Sequence, residues 1–245
     1  INLSACLAEA GQHVMLVDFD PQGNASSGLG VEKEDYEHTV YDMMAEEADL
    51  DECLVKNIQD NLDVLPSDMN LAGAEIEFQE VEDKETLLKR YLDKVRDDYD
   101  FILIDCPPSL NILTINALTA ADTVLVPIQC EYYALEGLNQ VLKTVELVKR
   151  KLNPQLELEG VVFTMYDART NLSLQVVESV KNNLNQTIYK TIIPRNVRLA
   201  EAPSHGMPIN LYDTRSTGAE SYRMLAAEVM SRGEELSRRP SGLRK

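Results

Sequence analysis

The sequence predicts an α/β fold in which a mostly parallel, twisted sheet carries helices on both faces. The first observation is a pair of short apolar segments that each end in aspartate, VMLVD at 14–18 and FILID within 100–105. Each is followed by a loop that contains proline, which is typical of a buried parallel strand that brings a carboxylate to the carboxyl edge of a sheet. The second observation is that amphipathic helical patterns alternate with such strands, and this alternation favours parallel βαβ units.

The remaining elements follow from the same two patterns along the chain. Apolar residues at helical spacing predict helices over 1–11, 84–97, 110–120, 134–152, 171–184 and 218–230. Short apolar runs bounded by turn residues predict further strands over 62–66, 123–127, 159–164 and 187–193. Because the sequence has no internal repeat and no long linker, we expect one domain over 1–236 and a basic, disordered tail over 237–245.

Composition excludes several classes of protein. The chain of 245 residues is 44% hydrophobic, which is enough for a full core. Its four cysteines have no C-x-x-C spacing, which argues against a zinc site or a disulfide framework and favours reduced thiols in the cytosol. Cys106 lies beside an aspartate, but we interpret it as a packing residue. The sequence has neither a long apolar run nor a signal peptide, so we expect no membrane span and no export.

Charge is distributed unevenly along the chain. The formal net charge is −18, yet residues 1–164 hold 33 acids and 11 bases whereas residues 165–245 hold 8 acids and 12 bases. Residues 32–60 contain eleven acids, and we interpret them as a solvated acidic surface. Salt screens distant carboxylates beyond roughly 8 Å, so the basic last third can still contact a phosphate backbone.

Three aspartates are the candidate chemical groups. Asp18, Asp20 and Asp105 follow or end the two strands with the strongest pattern, where ligands of open α/β sheets bind. Mg²⁺ is usually held by one or two carboxylates together with water and substrate phosphates, so this set suits a magnesium and phosphate site. The alternative for any one of them is an aspartate that starts a turn or caps a helix.

Four separated motifs carry a resemblance to a known family. They are DFDPQGNASSGLG, FILIDCPPS, TMYDARTN and IPRNVRLAEAPSHG, and they occur in the family's order. From about residue 1 to about residue 232, the chain resembles the ParA/Soj branch of the ParA/MinD family of deviant Walker-type P-loop ATPases. The resemblance implies that the protein binds ATP and Mg²⁺.

The resemblance also assigns roles to individual residues. It implies that Asp20 positions the water that attacks the γ-phosphate, that Asp18 belongs to the nucleotide site, and that Asp105 binds Mg²⁺ through water. It further implies that Pro194 and Asn196 line the adenine pocket. The expected DNA-binding residues are Arg169 and Arg198, although residue type alone would make each arginine an exposed, solubilising side chain.

The beginning of the chain departs from the family pattern. In the family, a strand and a glycine-rich loop of the form KGGVGKTTTA precede the helix that corresponds to INLSACLAEAG, and this sequence starts at Ile1. The 245 residues contain no G-x-x-x-x-G-K-[ST] pattern. We therefore expect an N-terminally truncated chain that lacks the first strand and the P-loop and is inactive alone.

The resemblance favours one function over two alternatives. It implies a chromosome- or plasmid-partitioning ATPase that binds double-stranded DNA non-specifically as an ATP-dependent homodimer, is stimulated by a ParB-type partner, and acts at the nucleoid in the cytoplasm. A MinD-like membrane positioning ATPase would need an amphipathic C-terminal helix, and SRRPSGLRK has one leucine and a proline. The second alternative is a nucleotide-free remnant that binds only DNA or partners.

Overall fold

The computed structural model describes residues 1–109, 111–184 and 187–237. Its strands are β1 (Val14–Asp18), β2 (Val55–Gln59), β3 (Leu62–Leu65), β4 (Phe101–Asp105), β5 (Thr123–Gln129), β6 (Glu157–Tyr166) and β7 (Ile188–Pro194). Its helices are α1 (Asn2–Glu9), α2 (Asn24–Ser27), α3 (Val40–Met44), α4 (Leu50–Cys53), α5 (Ala74–Glu77), α6 (Leu87–Val95), α7 (Ile112–Ala120), α8 (Ala134–Lys151), α9 (Asn171–Asn183), α10 (Val197–Glu201), α11 (Ile209–Tyr212) and α12 (Thr217–Ser237).

The described strands form two sheets. One has four strands in the order β2-β3-β1-β4, and the other has three in the order β5-β6-β7. All pairs are parallel except β2 with β3, which is antiparallel at the sheet edge. The prediction of a mostly parallel α/β fold flanked by helices is confirmed.

Helices cover both faces of the first sheet, and the side-chain alternation along β1 shows how. Met15 and Val17 pack into a cluster that includes residues of α3, α6 and α7. Val14 and Leu16 face the other way, into a cluster with residues of α1 and α12. A strand buried on both faces has no polar side, which explains why VMLVD is apolar throughout its first four positions.

The second sheet is covered in the same manner. Phe163 of β6 packs with residues of α8 and α9, and its neighbour Val162 faces the α1–α12 side. Leu225 and Val229 of α12 belong to the cluster that contains residues of both sheets. Helix α12 therefore packs across the two sheets.

A cavity separates the two sheets. It has a volume of about 1420 Å³ and is lined by residues 101–105 of β4 and 123–127 of β5. Within the described residues, β4 pairs only with β1 and β5 only with β6. The facing edges of β4 and β5 thus present backbone groups that have no strand partner.

The acids of residues 32–60 form a solvated surface, as the sequence predicts, and apolar residues of the same stretch also contribute to the core. The acids are mostly exposed, but Val40, Met43, Met44 and Cys53 are buried in the core. Strand β2 and the short helices were not predicted, whereas each predicted strand and helix is present, β1 with the predicted bounds and the others with shifted ends. Leu110, which opens a predicted helix, lies outside the described residues, as does the predicted tail beyond Ser237. In the described part of the chain, none of the helices combines the length and apolar character needed to cross a bilayer.

Candidate functional site

The carboxyl ends of β1 and β4 form the centre of the site. Asp18 and Asp105 are register partners at the ends of these adjacent parallel strands. The backbone N–H of Phe19 donates to the carbonyl oxygen of Asp105 at 2.8 Å, so the pairing continues one residue beyond β1. The structure therefore brings Asp18 and Asp105 together. The loop that contains Asp20 begins at the same edge of the sheet.

Asp18 is completely buried and is bonded by the loop that follows it. Its Oδ2 accepts hydrogen bonds from the backbone N–H and the hydroxyl of Ser26, both at 2.7 Å, and its Oδ1 accepts from the N–H of Asp20 at 3.3 Å. Burial raises the pKa of the Asp18 carboxyl, while the two bonds from Ser26 oppose that rise. Asp18 thereby holds the first turn of α2 against the end of β1.

Asp20 stands in a tight turn between β1 and α2. Its Oδ1 accepts from the backbone N–H of Gln22 at 2.9 Å, and its carbonyl accepts from the N–H of Gly23 at 2.9 Å. Gly23 has a φ of 61°, and a Cβ there would lie 2.9 Å from the carbonyl oxygen of Ser67. The turn therefore needs glycine at this position, and it fixes the direction of the half-buried Asp20 side chain.

Asp105 opens into the cavity between the sheets. The same cavity is lined by Ile1 and Asn2 at the N-terminus of α1 and by the loop 105–109. No side chain caps that helix terminus. Although the side chain reaches solvent, the surrounding protein raises the pKa of the Asp105 carboxyl, and the carboxylates of Asp18 and Asp20 act in the same direction.

The donor set fits magnesium only as part of a nucleotide complex. Among the described residues, no group of three or more His, Cys, Asp or Glu side chains could hold a metal ion by itself. Asp105 offers one solvent-facing carboxylate beside a helix N-terminus that favours anions. This combination matches the usual mode of Mg²⁺, which takes one or two carboxylates, waters and substrate phosphates.

The environment of the Cys106 thiol, next to the Asp105 carboxylate, does not favour a nucleophilic role. Burial, with the charges of Asp105 and Asp20, raises its pKa to about 12. Its sulfur contacts the carbonyl oxygen of Ile104 at 3.8 Å. A thiol that stays protonated at neutral pH agrees with the interpretation of Cys106 as a packing residue.

Arg169 lies in the loop between β6 and α9, and its side chain is 85% exposed. Its Nε and one terminal nitrogen donate to the two carboxylate oxygens of Asp167 at 2.9 and 2.7 Å. The guanidinium holds the pKa of the Asp167 carboxyl well below its usual range. The loop borders a second cavity of about 1020 Å³, which is also lined by Pro108 and Arg195.

Pro194, Asn196 and Arg198 follow one another at the carboxyl end of β7. Pro194 pairs with Tyr166 of β6, and Asn196 caps α10 by accepting from the N–H of Arg198 at 2.8 Å. The Asn196 amide also donates to the hydroxyl of Thr217 at 2.8 Å, which joins α10 to the start of α12. The predicted adenine-pocket residues and Arg198, one of the two predicted DNA-binding residues, therefore share one short segment.

The Arg198 guanidinium is held by acids of its own neighbourhood. It contacts Glu201 at 2.9 Å and Asp213 at 3.4 Å, and its side chain is 55% exposed. No described contact joins it to Arg169, but the two segments are adjacent because Arg195 donates its N–H to the carbonyl of Tyr166 at 2.8 Å. Both arginines therefore follow the carboxyl ends of neighbouring parallel strands.

Sequence reasoning did not single out Ser26 or the pair Glu131 and Arg195. Ser26 supplies both short bonds to Asp18, and Glu131 contacts Arg195 at 3.7 Å at the rim of the second cavity. A serine two residues after the start of a helix is an available signal, because such positions often bond a preceding carboxylate. The contact between Glu131 and Arg195 joins residues 64 positions apart and leaves no local pattern.

Comparison with known proteins places these residues in a family. Residues 1–158 match the family model described as an AAA domain. The chain is 58% identical over 233 residues to the sporulation initiation inhibitor protein Soj of Bacillus subtilis, and the alignment covers 95% of this chain and 92% of that protein. It is 51% identical to the chromosome-partitioning ATPase Soj of Treponema pallidum, with 95% and 90% covered. It is 48% identical to the chromosome partitioning protein ParA of Caulobacter vibrioides, with 95% and 88% covered.

Solved structures agree on the fold. A cobyrinic acid a,c-diamide synthase from Mycobacterium smegmatis, solved with bound ADP and magnesium, is similar with a TM-score of 0.83 and 34% identity over 97% of this chain and 89% of that one. The septum site-determining protein MinD from Pyrococcus horikoshii, complexed with Mg-ADP, gives a TM-score of 0.77 and 25% identity over 100% and 90%. The resemblance that the four motifs carried is confirmed: the chain belongs to the Soj/ParA family of chromosome-partitioning ATPases.

Proposed function

We propose that this protein is an ATP-dependent switch that binds DNA in one nucleotide state and releases it after hydrolysis. The observation that carries the proposal is the position of Asp20 and Asp105. Asp105 ends β4, Asp20 lies two residues after the end of the adjacent strand β1, and Asp105 shares a cavity with the first residues of α1. A helix terminus with free N–H groups binds phosphate, and a carboxylate beside it suits the accompanying Mg²⁺.

Each residue of the site has a proposed task. Asp20 orients the attacking water, because its Oδ1 is occupied by the Gln22 amide and, within the described residues, no hydrogen bond reaches its Oδ2. Asp105 would hold Mg²⁺, and this ion would supply charge neutralisation at the phosphates. Asp18 keeps the loop that carries Asp20 in place through Ser26. Backbone groups at Pro194 and the amide of Asn196 border the adenine.

DNA binding is proposed for Arg169 and Arg198. Both are well exposed, and each has an acidic partner close by: Asp167 for Arg169, and Glu201 and Asp213 for Arg198. An exposed ion pair contributes at most about 1 kcal/mol, so a DNA phosphate can replace the carboxylate partner. Non-specific binding to the backbone follows from charge alone. Dimerisation with ATP would double the number of arginines on one duplex. We further propose that a ParB-type protein stimulates hydrolysis at the nucleoid in the cytoplasm; the relatives' names support a role in chromosome partitioning.

The test compares DNA binding by the intact protein in Mg-ATP with binding in Mg-ADP. The double variant Arg169→Ala, Arg198→Ala is expected to lose at least about tenfold in affinity and to show a weaker salt dependence. Lys181→Ala, which removes an exposed charge from α9, is the matched control. Unchanged DNA binding by the double variant would refute the assigned DNA surface, and absence of ATP hydrolysis would favour the nucleotide-free alternative.

A further inference from the structure

Two glycines from distant parts of the chain touch through their backbones. Gly30 and Gly206 both have positive φ, 77° and 61°. A Cβ on Gly206 would lie 2.8 Å from the Cα of Gly30, and a Cβ on Gly30 would lie 2.8 Å from the carbonyl oxygen of Gly206. Real Cβ atoms do not approach other atoms so closely, so neither position accepts a side chain without movement of the other backbone.

Each glycine ends a segment that carries a residue of the proposed site. Gly30 closes the turn after α2, where its N–H donates to Ser27 and the N–H of Val31 donates to Ser26, the residue that bonds Asp18. This places the contact at the far end of the loop that begins with Asp20.

Gly206 ends the segment that begins with Arg198. The 3₁₀ turn Ala202–His205 continues directly from α10, and the N–H of Gly206 donates to the carbonyl of Pro203. Ala202 is fully buried, so the turn and α10 are fixed to each other. A displacement of Gly206 is therefore passed to the helix that carries Arg198.

We propose that the contact between Gly30 and Gly206 transmits the nucleotide state of the 20–31 loop to α10 and so controls whether Arg198 is available to DNA. The inference rests on the proposed function, because it assumes that the loop responds to nucleotide. Two backbones in direct contact have no flexible side chain between them to absorb a shift. When the loop moves toward residues 202–206, α10 turns and the pairing of Arg198 with Glu201 and Asp213 changes.

The segment that follows Gly206 is anchored to α1. The backbone N–H of Ile209 donates to the side-chain oxygen of Asn2 in α1 at 2.8 Å. Ile209 itself is fully buried. The chain that follows Gly206 is therefore held against α1 at Ile209.

Hydrogen exchange of the wild-type protein tests the link without any variant. When Mg-ATP is added, the hydrogen-exchange rates of the amides in 20–31 and in 197–206 are expected to change together. A change in 20–31 without one in 197–206 would overturn the link while leaving nucleotide binding intact. No change in either segment would instead refute the proposed response of the loop to nucleotide.

Gly206→Ala tests the contact directly, and Gly11→Ala is its matched control. Gly11 also has positive φ, 87°, but a Cβ there meets nothing within 4 Å, so this variant reproduces the backbone strain without the contact. Gly206→Ala is expected to bind a fluorescent ATP analogue within about twofold of the control while its ATP-dependent gain in DNA affinity falls at least about tenfold. If both variants keep the same ATP-dependent gain, the link is wrong. If the Arg198 variant binds DNA normally while Gly206→Ala abolishes exchange changes in 197–206, the link stands and the DNA assignment fails.

Discussion

Asp18 and Ser26 are joined by two hydrogen bonds of 2.7 Å that end on the same carboxylate oxygen. One comes from the backbone N–H of Ser26 and the other from its hydroxyl. Helix α2 therefore supplies the hydrogen bonds for the buried Asp18 carboxylate, and the same bonds hold α2 against the end of β1. Replacing Ser26 with alanine removes the hydroxyl bond and leaves the amide bond in place. Because the carboxylate remains buried, we expect the free energy of unfolding to fall by about 1–3 kcal/mol.

Urea denaturation measures this change, and Ser27→Ala is the control because Ser27 is the exposed neighbour in the same helix. A loss in Ser26→Ala no larger than that of the control would mean that the hydroxyl bond contributes nothing to stability.

Asp20→Asn separates the charge of this residue from its structural role. The amide oxygen can still accept the hydrogen bond from Gln22, so the turn is retained. The variant cannot act as a base or orient water through a negative charge, and kcat for ATP hydrolysis is expected to fall by about 10²–10⁴-fold with little change in ATP affinity. Phosphate release measures the rate. Asp97→Asn, at an exposed position, should hydrolyse ATP like the wild type; normal hydrolysis by Asp20→Asn would remove Asp20 from the mechanism.

Cys106 should resist alkylation in the folded protein. With a pKa of about 12, only about one thiol in ten thousand is ionised at pH 8, whereas an unperturbed cysteine is substantially ionised there. The alkylation rate at Cys106 should therefore keep rising between pH 8 and pH 10, while that of the unfolded protein levels off near pH 9. Iodoacetamide labelling followed by peptide mass analysis measures both rates. A plateau near pH 9 in the folded protein would show that burial does not perturb this thiol.

The Asp167 carboxyl should report the state of Arg169. Its pKa is lowered by the Arg169 guanidinium and backbone N–H, so the pair contributes stability above the unfolded pKa of about 4 and loses it as pH falls toward the folded value. Arg169→Gln should raise the Asp167 pKa toward its usual value, as measured by NMR titration of the carboxyl. Saturating DNA should raise it in the wild type as well, because a phosphate then takes the guanidinium. A pKa that DNA leaves unchanged would place Arg169 outside the DNA contact.

The central strands were predictable because the apolar residues that bury them are consecutive in the sequence. VMLVD and FILID are apolar on both faces and end in aspartate, and these two ends are register partners in the structure. Strand β2 was missed because VKNIQ is mostly polar and is only partly buried at the sheet edge. It pairs antiparallel with β3 in an irregular register, and Asn57 within the strand and Asn61 in the connection both adopt positive φ.

The contacts between distant segments could not be predicted from one sequence. Gly30 and Gly206 are each recognisable as turn glycines, but nothing local tells that one turn touches the other across 176 positions. The same holds for Arg169 and Arg198, whose residue type indicated exposure while their acidic partners depend on how the loops fold. The family motifs predicted which residues belong to the candidate site, whereas the packing that connects its parts depends on contacts between distant segments.

The packing of α12 against both sheets also affects how the protein unfolds. Leu225 and Val229 lie in an apolar cluster that contains residues of both sheets. Local unfolding of the C-terminal helix would therefore expose apolar residues of both sheets at the same time. Cleavage before Leu225 would remove these contacts together and open both sheets to proteases and to aggregation.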